Sequence, residues 1–403
     1  MLRIIGILRR EGLIGLLLKC IKHLLCCLCR PFYQIGNNRP IILFESVPNL
    51  SDNTKAVYDE MVRRGLNQRY HMVWMAYNDE ERTLPETNAE VFDFSKNDSI
   101  AHAIRRSAIW SKVRCIICCN RFTTPRYPTQ KSFYLAHGMP IKNVRNYYTM
   151  PETIDYCFAT GEGLKELRAY TLKIPEEKVI PLGFPRNDVF CEKVRTAKDY
   201  FSDKADIKKV VVWYPTFRRH KSGGKSTDCS YDLPLIHDMS TAEALNDFAK
   251  KHGILLVLKP HFAQDISNIK DLGLSNILFI NDDFFACRGI SSYEFVAGCD
   301  ALITDYSSIY YDYLLCDKPI AVIWEDIDEY RRNPGFAGDI DYHMKGAEKV
   351  YTGKELESFL LSVIDGQDNL RDARREIRDL VHYSTDGRNA ERVTDFIIEK
   401  AKL

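Results

Sequence analysis

Ala301-Leu302-Ile303-Thr304-Asp305-Tyr306-Ser307-Ser308-Ile309-Tyr310-Tyr311-Asp312-Tyr313 reads as a buried strand running into a helix, with the next strand at Pro319-Ile320-Ala321-Val322-Ile323. An unbroken apolar run suits a strand covered on both faces, as in a parallel sheet. Two hydroxyls where the helix starts have two readings. They either cap the helix, or they join its first N–H groups and its positive end to hold a phosphate.

Working outward, the same alternation recurs. Val210 to Tyr214, Ile254 to Leu258, Ile277 to Ile280, Ala301 to Thr304 and Ile320 to Ile323 read as strands with helices between them. An earlier series comprises Ile41 to Phe44, His71 to Ala76, Val113 to Cys119, Phe133 to Ala136 and Tyr156 to Ala159, with a helix from Asp52 to Arg64. A polar stretch up to Lys209 separates the two series, and 403 residues accommodate two ordinary domains. Strands alternating with helices imply α/β units whose parallel sheets are covered on both sides. The segment Arg218 to Asp232, rich in Gly, Ser and charge, reads as a loop beside the Tyr214-Pro215-Thr216 strand end.

Polar clusters fall where these strands should end. Phe133 to Ala136 runs into His137-Gly138-Met139-Pro140-Ile141-Lys142, Tyr214 into Pro215-Thr216, and Leu258 into Lys259-Pro260-His261. Open α/β sheets bind ligands outside the carboxyl ends of their strands. Two histidines, several cations and a hydroxyl pair are therefore expected to share a cleft. Gly138 permits a close backbone approach and Pro140 stiffens the turn that carries His137.

The formal net charge of +1 gives no global attraction to nucleic acid, so no nucleic-acid partner is expected and any electrostatic work must come from local patches. Residues 1–30 nevertheless hold six Lys or Arg and one acid, with Leu and Ile spaced by about three and four. That pattern predicts a basic amphipathic helix on a membrane surface. Its uncharged runs fall short of the ~20 apolar residues of a spanning helix. A signal peptide and packing on the protein's own surface are the competing readings. The cysteines lie mostly within apolar runs such as Cys115 to Cys119 and lack zinc-ligand spacing, so reduced thiols and a cytosolic setting are expected. Acylation of Cys26, Cys27 or Cys29 is a further possibility without support of its own. Gly223-Gly224-Lys225-Ser226 lacks the upstream glycine of an ATP-binding loop. No carboxylate cluster suggests magnesium, so the expectation is metal-independent chemistry without a cofactor, with Asp305 in a supporting role.

HGMPIKN at 137–143, GFPRND at 183–188, YPTF at 214–217, LKPHF at 258–262, TDYSSIYYDY at 304–313 with its following KPI, and DGRNAERV at 386–393 resemble, in order, the CDP-glycerol glycerophosphotransferase family of teichoic-acid synthesis. Phe44-Glu45-Ser46 and Ser51 to Ala56 are similar to its first strand and helix. The resemblance covers roughly residues 40–395 and implies a GT-B fold of two facing Rossmann-like domains. Its expected limits are 1–37 for the membrane-surface segment, 38–195 for the acceptor-side domain and 196–403 for the donor-binding domain. It also implies transfer of a polyol phosphate, glycerol phosphate first, from a CDP donor to a lipid-linked acceptor at the cytoplasmic face of the membrane.

By the same resemblance His137 and His261 are the essential histidines, His137 preferred as base. Arg186, Pro215, Thr216, Lys259, Ser307, Ser308 and Asp312 then line the CDP-alcohol site, with Gly138 to Lys142 and Pro260 beside them. Met139 replaces a small hydroxyl residue usual in the family, and Lys259 replaces a frequent Arg. Three other readings stand beside this one: ribitol phosphate transfer from CDP-ribitol, a GT-B sugar transferase of capsule or lipopolysaccharide assembly, and a membrane-bound scaffold with a decayed nucleotide fold.

Overall fold

The computed structural model describes residues 2–32, 38–77, 82–96, 99–204, 206–216, 233–260 and 273–403. These form two compact units that are not consecutive in sequence. The first contains Met1–His137, Met150–Phe158 and Ala390–Leu403, and the second Gly138–Thr149 and Ala159–Asn389. The loop expected from Arg218 to Asp232 lies outside the described residues.

In the first unit the strands are β1 (Ile41–Glu45), β2 (His71–Ala76), β3 (Arg82–Leu84), β4 (Ala89–Asp93), β5 (Val113–Cys118), β6 (Lys131–Tyr134) and β7 (Tyr156–Phe158). They lie in the order β3-β4-β2-β1-β5-β6-β7, parallel except for the antiparallel β3–β4 pair. Strand β1 is central and buried throughout. Its side chains alternate between two cores, as the pleat requires. Ile41 and Leu43 join Val73, Met75, Ile109 and Trp110. Phe44, on the opposite face, joins Tyr58 and Trp74 with ring centroids 5.2–5.3 Å apart. The helix Asp52–Arg63 buries Val57, Tyr58 and Met61 at spacings of one, three and four, the period of one helical face.

The expected N-terminal helix is present from Leu2 to Cys29, broken at Gly12, whose φ of 69° suits glycine. It runs beside the helix Ile100–Lys112. Leu13, Ile14, Leu17, Leu18, Ile21, Leu24 and Leu28 are exposed, while Cys26 is buried. Gly12–Cys29 is long and apolar enough to cross a membrane by length and composition, with a mean hydropathy of 1.9 over 18 residues. Counting uncharged runs alone understates this, because Lys19 and Lys22 interrupt the stretch without making it polar overall.

The second unit contains β8 (Val179–Ile180), β9 (Lys209–Trp213), β10 (Ile254–Leu258), β11 (Ile277–Phe279), β12 (Ala301–Thr304), β13 (Ile320–Ile323) and β14 (Glu348–Val350). Strands β9 to β14 form a wholly parallel sheet in the order β11-β10-β9-β12-β13-β14. Val211, Trp213, Leu256, Leu258, Ile303 and Ile323 form one core with Leu356, Phe359 and Leu360 of the helix Gly353–Asp365. In both units the sequence order reverses beside the first parallel strand, between β1 and β5 and between β9 and β12. A crevice opens at such a reversal outside the carboxyl ends of the strands. The described cysteines are all free, and burial raises the thiols of Cys115, Cys118 and Cys119 above their ordinary range.

Candidate active site

In the first unit the turns after β1, β5 and β6 converge. His137 follows β6 through Ala136, whose φ of 61° is uncommon for a residue with a side chain. That backbone is held by Asn53, whose amide donates 2.9 Å to the Ala136 carbonyl. The His137 ring, 65% exposed, places Nδ1 against Oδ2 of the nearly buried Asp52. The Asn120 amide nitrogen lies 3.2 Å from the same ring nitrogen. One nitrogen cannot donate and accept at once. The carboxylate accepts only, so Nδ1 carries the hydrogen, the Asn120 amide lies alongside as a dipolar neighbour, and in the neutral ring Nε2 keeps its lone pair. A carboxylate on Nδ1 orients an imidazole that acts as a base through Nε2.

Asp52 and Asn120 are functional candidates that the sequence reading did not single out. Asp52 stands in the Ser51-Asp52-Asn53 run that opens the first helix, which was the available signal. Asn120 follows the cysteine-rich strand and had none.

In the second unit a carboxylate spans the strand-order reversal. Both oxygens of Asp305, just after β12, accept from the Thr216 N–H beyond β9 at 2.9 and 3.1 Å, and Oδ1 also accepts from Tyr306 N–H at 2.6 Å. Asp305 thus braces two strand ends. The helix after the serines is short, Ile309–Tyr313 followed by a 3₁₀ turn, so its dipole adds little to anion binding. Ser308 occupies the cap position yet makes no side-chain capping bond. Its hydroxyl instead faces Gly138, where an added Cβ would lie 2.4 Å from Oγ. Glycine is what lets the 138–142 segment rest on the serine turn.

Along that segment Met139 and Ile141 are buried, the Met139 sulfur 3.0 Å from an Arg168 nitrogen. Pro140 is half-buried, and Lys142 pairs with Phe336 and places Nζ 5.6 Å from the Tyr330 ring. Arg186 and Asp312 form a buried pair at 2.9 Å, with the Asn187 amide on the second carboxylate oxygen at 2.8 Å and Tyr293 against the guanidinium at 4.5 Å. Two resembling motifs meet where Asn389 N–H donates 2.8 Å to Asp188. Lys259 pairs with the exposed Asp282 at 3.0 Å, and Pro215, Thr216 and Pro260 are buried around the strand ends. Arg186 and Lys259 therefore already have carboxylate partners. His261 lies outside the described residues. Among the described residues no His, Cys, Asp and Glu cluster fits a metal ion.

Two doubly wound parallel sheets, each with polar groups outside its strand-order reversal, define a GT-B-like α/β protein. The family model described as CDP-glycerol:poly(glycerophosphate) glycerophosphotransferase matches residues 30–399, and the chain belongs to that family. It is 26% identical over 322 residues to a teichoic acid poly(glycerol phosphate) polymerase of Staphylococcus epidermidis, covering 72% of this chain and 41% of the relative. It is 24% identical over 382 residues to a teichoic acid ribitol-phosphate polymerase of Staphylococcus aureus, covering 90% and 62% respectively. The chain thus spans about two fifths to three fifths of these relatives' lengths. The structure of the wall teichoic acid polymerase TagF matches the fold with a TM-score of 0.72 at 21% identity, over 100% of this chain and 96% of that one.

Proposed function

We propose that the chain transfers a polyol phosphate, glycerol phosphate in the first instance, from a CDP-linked donor to a lipid-linked acceptor. The observation that carries this reading is the oriented imidazole of His137, on Asp52, in a chain whose family match runs from residue 30 to 399. The acceptor hydroxyl attacks the distal phosphorus of the donor and gives its proton to His137 Nε2. The bond from that phosphorus to the bridging oxygen breaks, and CMP leaves with the electron pair. Backbone N–H groups and hydroxyls at Ser307 and Ser308, with Thr216 and Lys259, are the proposed donor contacts in the second unit. His261 is the second proposed catalytic residue.

Release of CMP by purified protein, given CDP-glycerol or CDP-ribitol and a lipid-linked acceptor, tests the proposal. Turnover with CDP-ribitol alone would assign the ribitol reaction, which the match to the Staphylococcus aureus relative over 90% of the chain favours as the second reading. No CMP from any CDP-polyol, together with thermal stabilisation by UDP or GDP sugars, would transfer the protein to the sugar transferases.

The helix Leu2–Cys29 is the proposed membrane attachment, at the cytoplasmic face where nucleotide-activated donors are present. Its exposed leucines and isoleucines contribute roughly 25 cal/mol per Å² of apolar surface withdrawn from water. Co-sedimentation with anionic vesicles, lost when Leu17, Leu18 and Ile21 are replaced by Ser, is the expected result.

A further inference from the structure

Glu45 ends β1 where the strand order of the first unit reverses. It is fully buried. Its Oε2 accepts from the Arg121 N–H at 3.3 Å, and the N–H groups of Cys119 and Asn120 also turn toward the carboxyl group. Its Oε1 has neither solvent nor a hydrogen-bond partner. A carboxylate enclosed with so little compensation is costly and therefore needs a reason.

The reason lies in what the turn carries. Asn120 Oδ1 accepts from the Val47 N–H and from the Cys119 thiol, both at 2.8 Å, so the amide is fixed with its nitrogen toward His137. Carboxylate, turn, amide and imidazole form a continuous series of contacts within one unit. We propose that Glu45 is a positioning residue for His137: by accepting the N–H groups of the Cys119–Arg121 turn it places Asn120, whose amide packs against the ring at Nδ1 and limits how the imidazole sits on Asp52. The proposal rests on the reading of His137 as the base.

A protonated carboxyl holds the turn less well, because a neutral acceptor binds the turn's N–H donors more weakly than a charged one. Burial raises the Glu45 carboxyl to about 7, opposed by the backbone N–H groups and by Arg121. The groups that face it come from several elements. Arg121 belongs to the turn and lies 4.1 Å from the Tyr77 ring. Tyr77, beyond β2, is pushed up to about 12 by burial with Glu45 adding to the effect. The thiols of Cys118 and Cys119 are raised by burial, Glu45 contributing to both and Asp52 to the second. These remain neutral near pH 7, leaving Glu45 to switch the turn there.

The test uses the full chain with ¹⁵N-labelled histidine, the His137 ring signals being those that vanish in His137→Gln. Glu45→Gln and Asn120→Ala are compared with the parent between about pH 5 and 8. In both variants the His137 ring signals are expected to shift. CMP release should fall by ~10-fold or more in kcat at a KM within about twofold, and Glu45→Gln should lose the acid limb near pH 7. Ring signals in folded Glu45→Gln that superimpose on the parent's at every pH would overturn the proposal. Should Glu45→Gln not fold, Asn120→Ala decides, since parental ring signals and kcat in that variant overturn it equally. A parent that turns over no CDP-polyol defeats the proposed function alone, and the ring signals still decide the role of Glu45.

Discussion

The two strand-order reversals solve the same problem with different success. In the second unit Asp305 stands just beyond the fourth strand of its sheet in sequence and receives the Thr216 N–H from the end of the first, with Tyr306 N–H as a further donor. In the first unit the carboxylate comes from the first strand, and Glu45 receives a longer bond from Arg121 beyond the fourth parallel strand while Oε1 stays bare. Both side chains are buried to within 1%. Equal burial therefore does not mean equal cost. N–H donors compensate one carboxylate, whereas desolvation governs the other and moves its titration to about 7. The well-braced reversal sits beside the proposed donor contacts, and the poorly braced one beside the imidazole.

The largest effect tests that division of labour. His137→Ala should lower CMP release by ~10²–10⁴, the usual contribution of a positioned base. The ring is 65% exposed, so thermal unfolding should barely change. A loss below about tenfold would place the base elsewhere and remove the chemical difference between the two reversals.

Linkage gives the next effect. A carboxyl whose native value is about 7 and whose ordinary value is 4.5 stays protonated in the folded chain over a range where the unfolded chain has lost its proton. Its contribution is fully present below about pH 4.5, declines as pH rises, and is lost above about pH 7. The span corresponds to roughly 3 kcal/mol, at 1.36 kcal/mol per pH unit. Glu45→Gln cannot titrate. Guanidinium unfolding of the parent and of Glu45→Gln should therefore differ in the variant's favour by about 3 kcal/mol more at pH 8 than at pH 4.5. A constant difference across that range would mean that Glu45 is better solvated than its burial implies.

Why the parallel frame could be read directly is clear from its strands. Ile254 to Leu258 and Ala301 to Thr304 are uninterrupted apolar runs, and burial on both faces leaves such a run no other place. Strand β4 escaped because Ala89-Glu90-Val91-Phe92-Asp93 alternates with acids, although all five residues are buried. Glu90 is tolerated there by His71 at 3.0 Å and Arg105 at 2.5 Å, partners that only the folded chain supplies. Strand β14, Glu-Lys-Val, is too short and polar for any period to register. The site divides in the same way. His137 and Gly138 stood out because a histidine turn at one strand end had a counterpart in Lys259-Pro260-His261 at another, and because both fall in motifs that resemble the family's. Asp52, Asn120 and Glu45 acquire their meaning from strand ends and turns that meet at the carboxyl end of one sheet, a relation absent from local spacing. The serine pair was legible as a feature, but the capping reading fails for Ser308, whose hydroxyl faces Gly138 instead.

The smallest effect is the sharpest check on the contrast. Asp305→Asn keeps the size of the side chain and one acceptor oxygen, but its amide group must face the Thr216 or Tyr306 N–H, donor against donor. Thr216 N–H keeps only the Oδ1 it shares with Tyr306, and exchanging a buried charged acceptor for a neutral one costs about 1–3 kcal/mol. At pH 8 the variant should accordingly unfold at lower guanidinium than the parent, by an amount in that range. Glu45→Gln at the same pH removes a charge that had little compensation, so the two substitutions, alike in chemistry, should separate in cost. Equal losses would show that the bare Oε1 of Glu45 has found a partner in solution. The distinction between a braced and an unbraced carboxylate would then disappear, and with it the physical ground for a titration near neutrality beside His137.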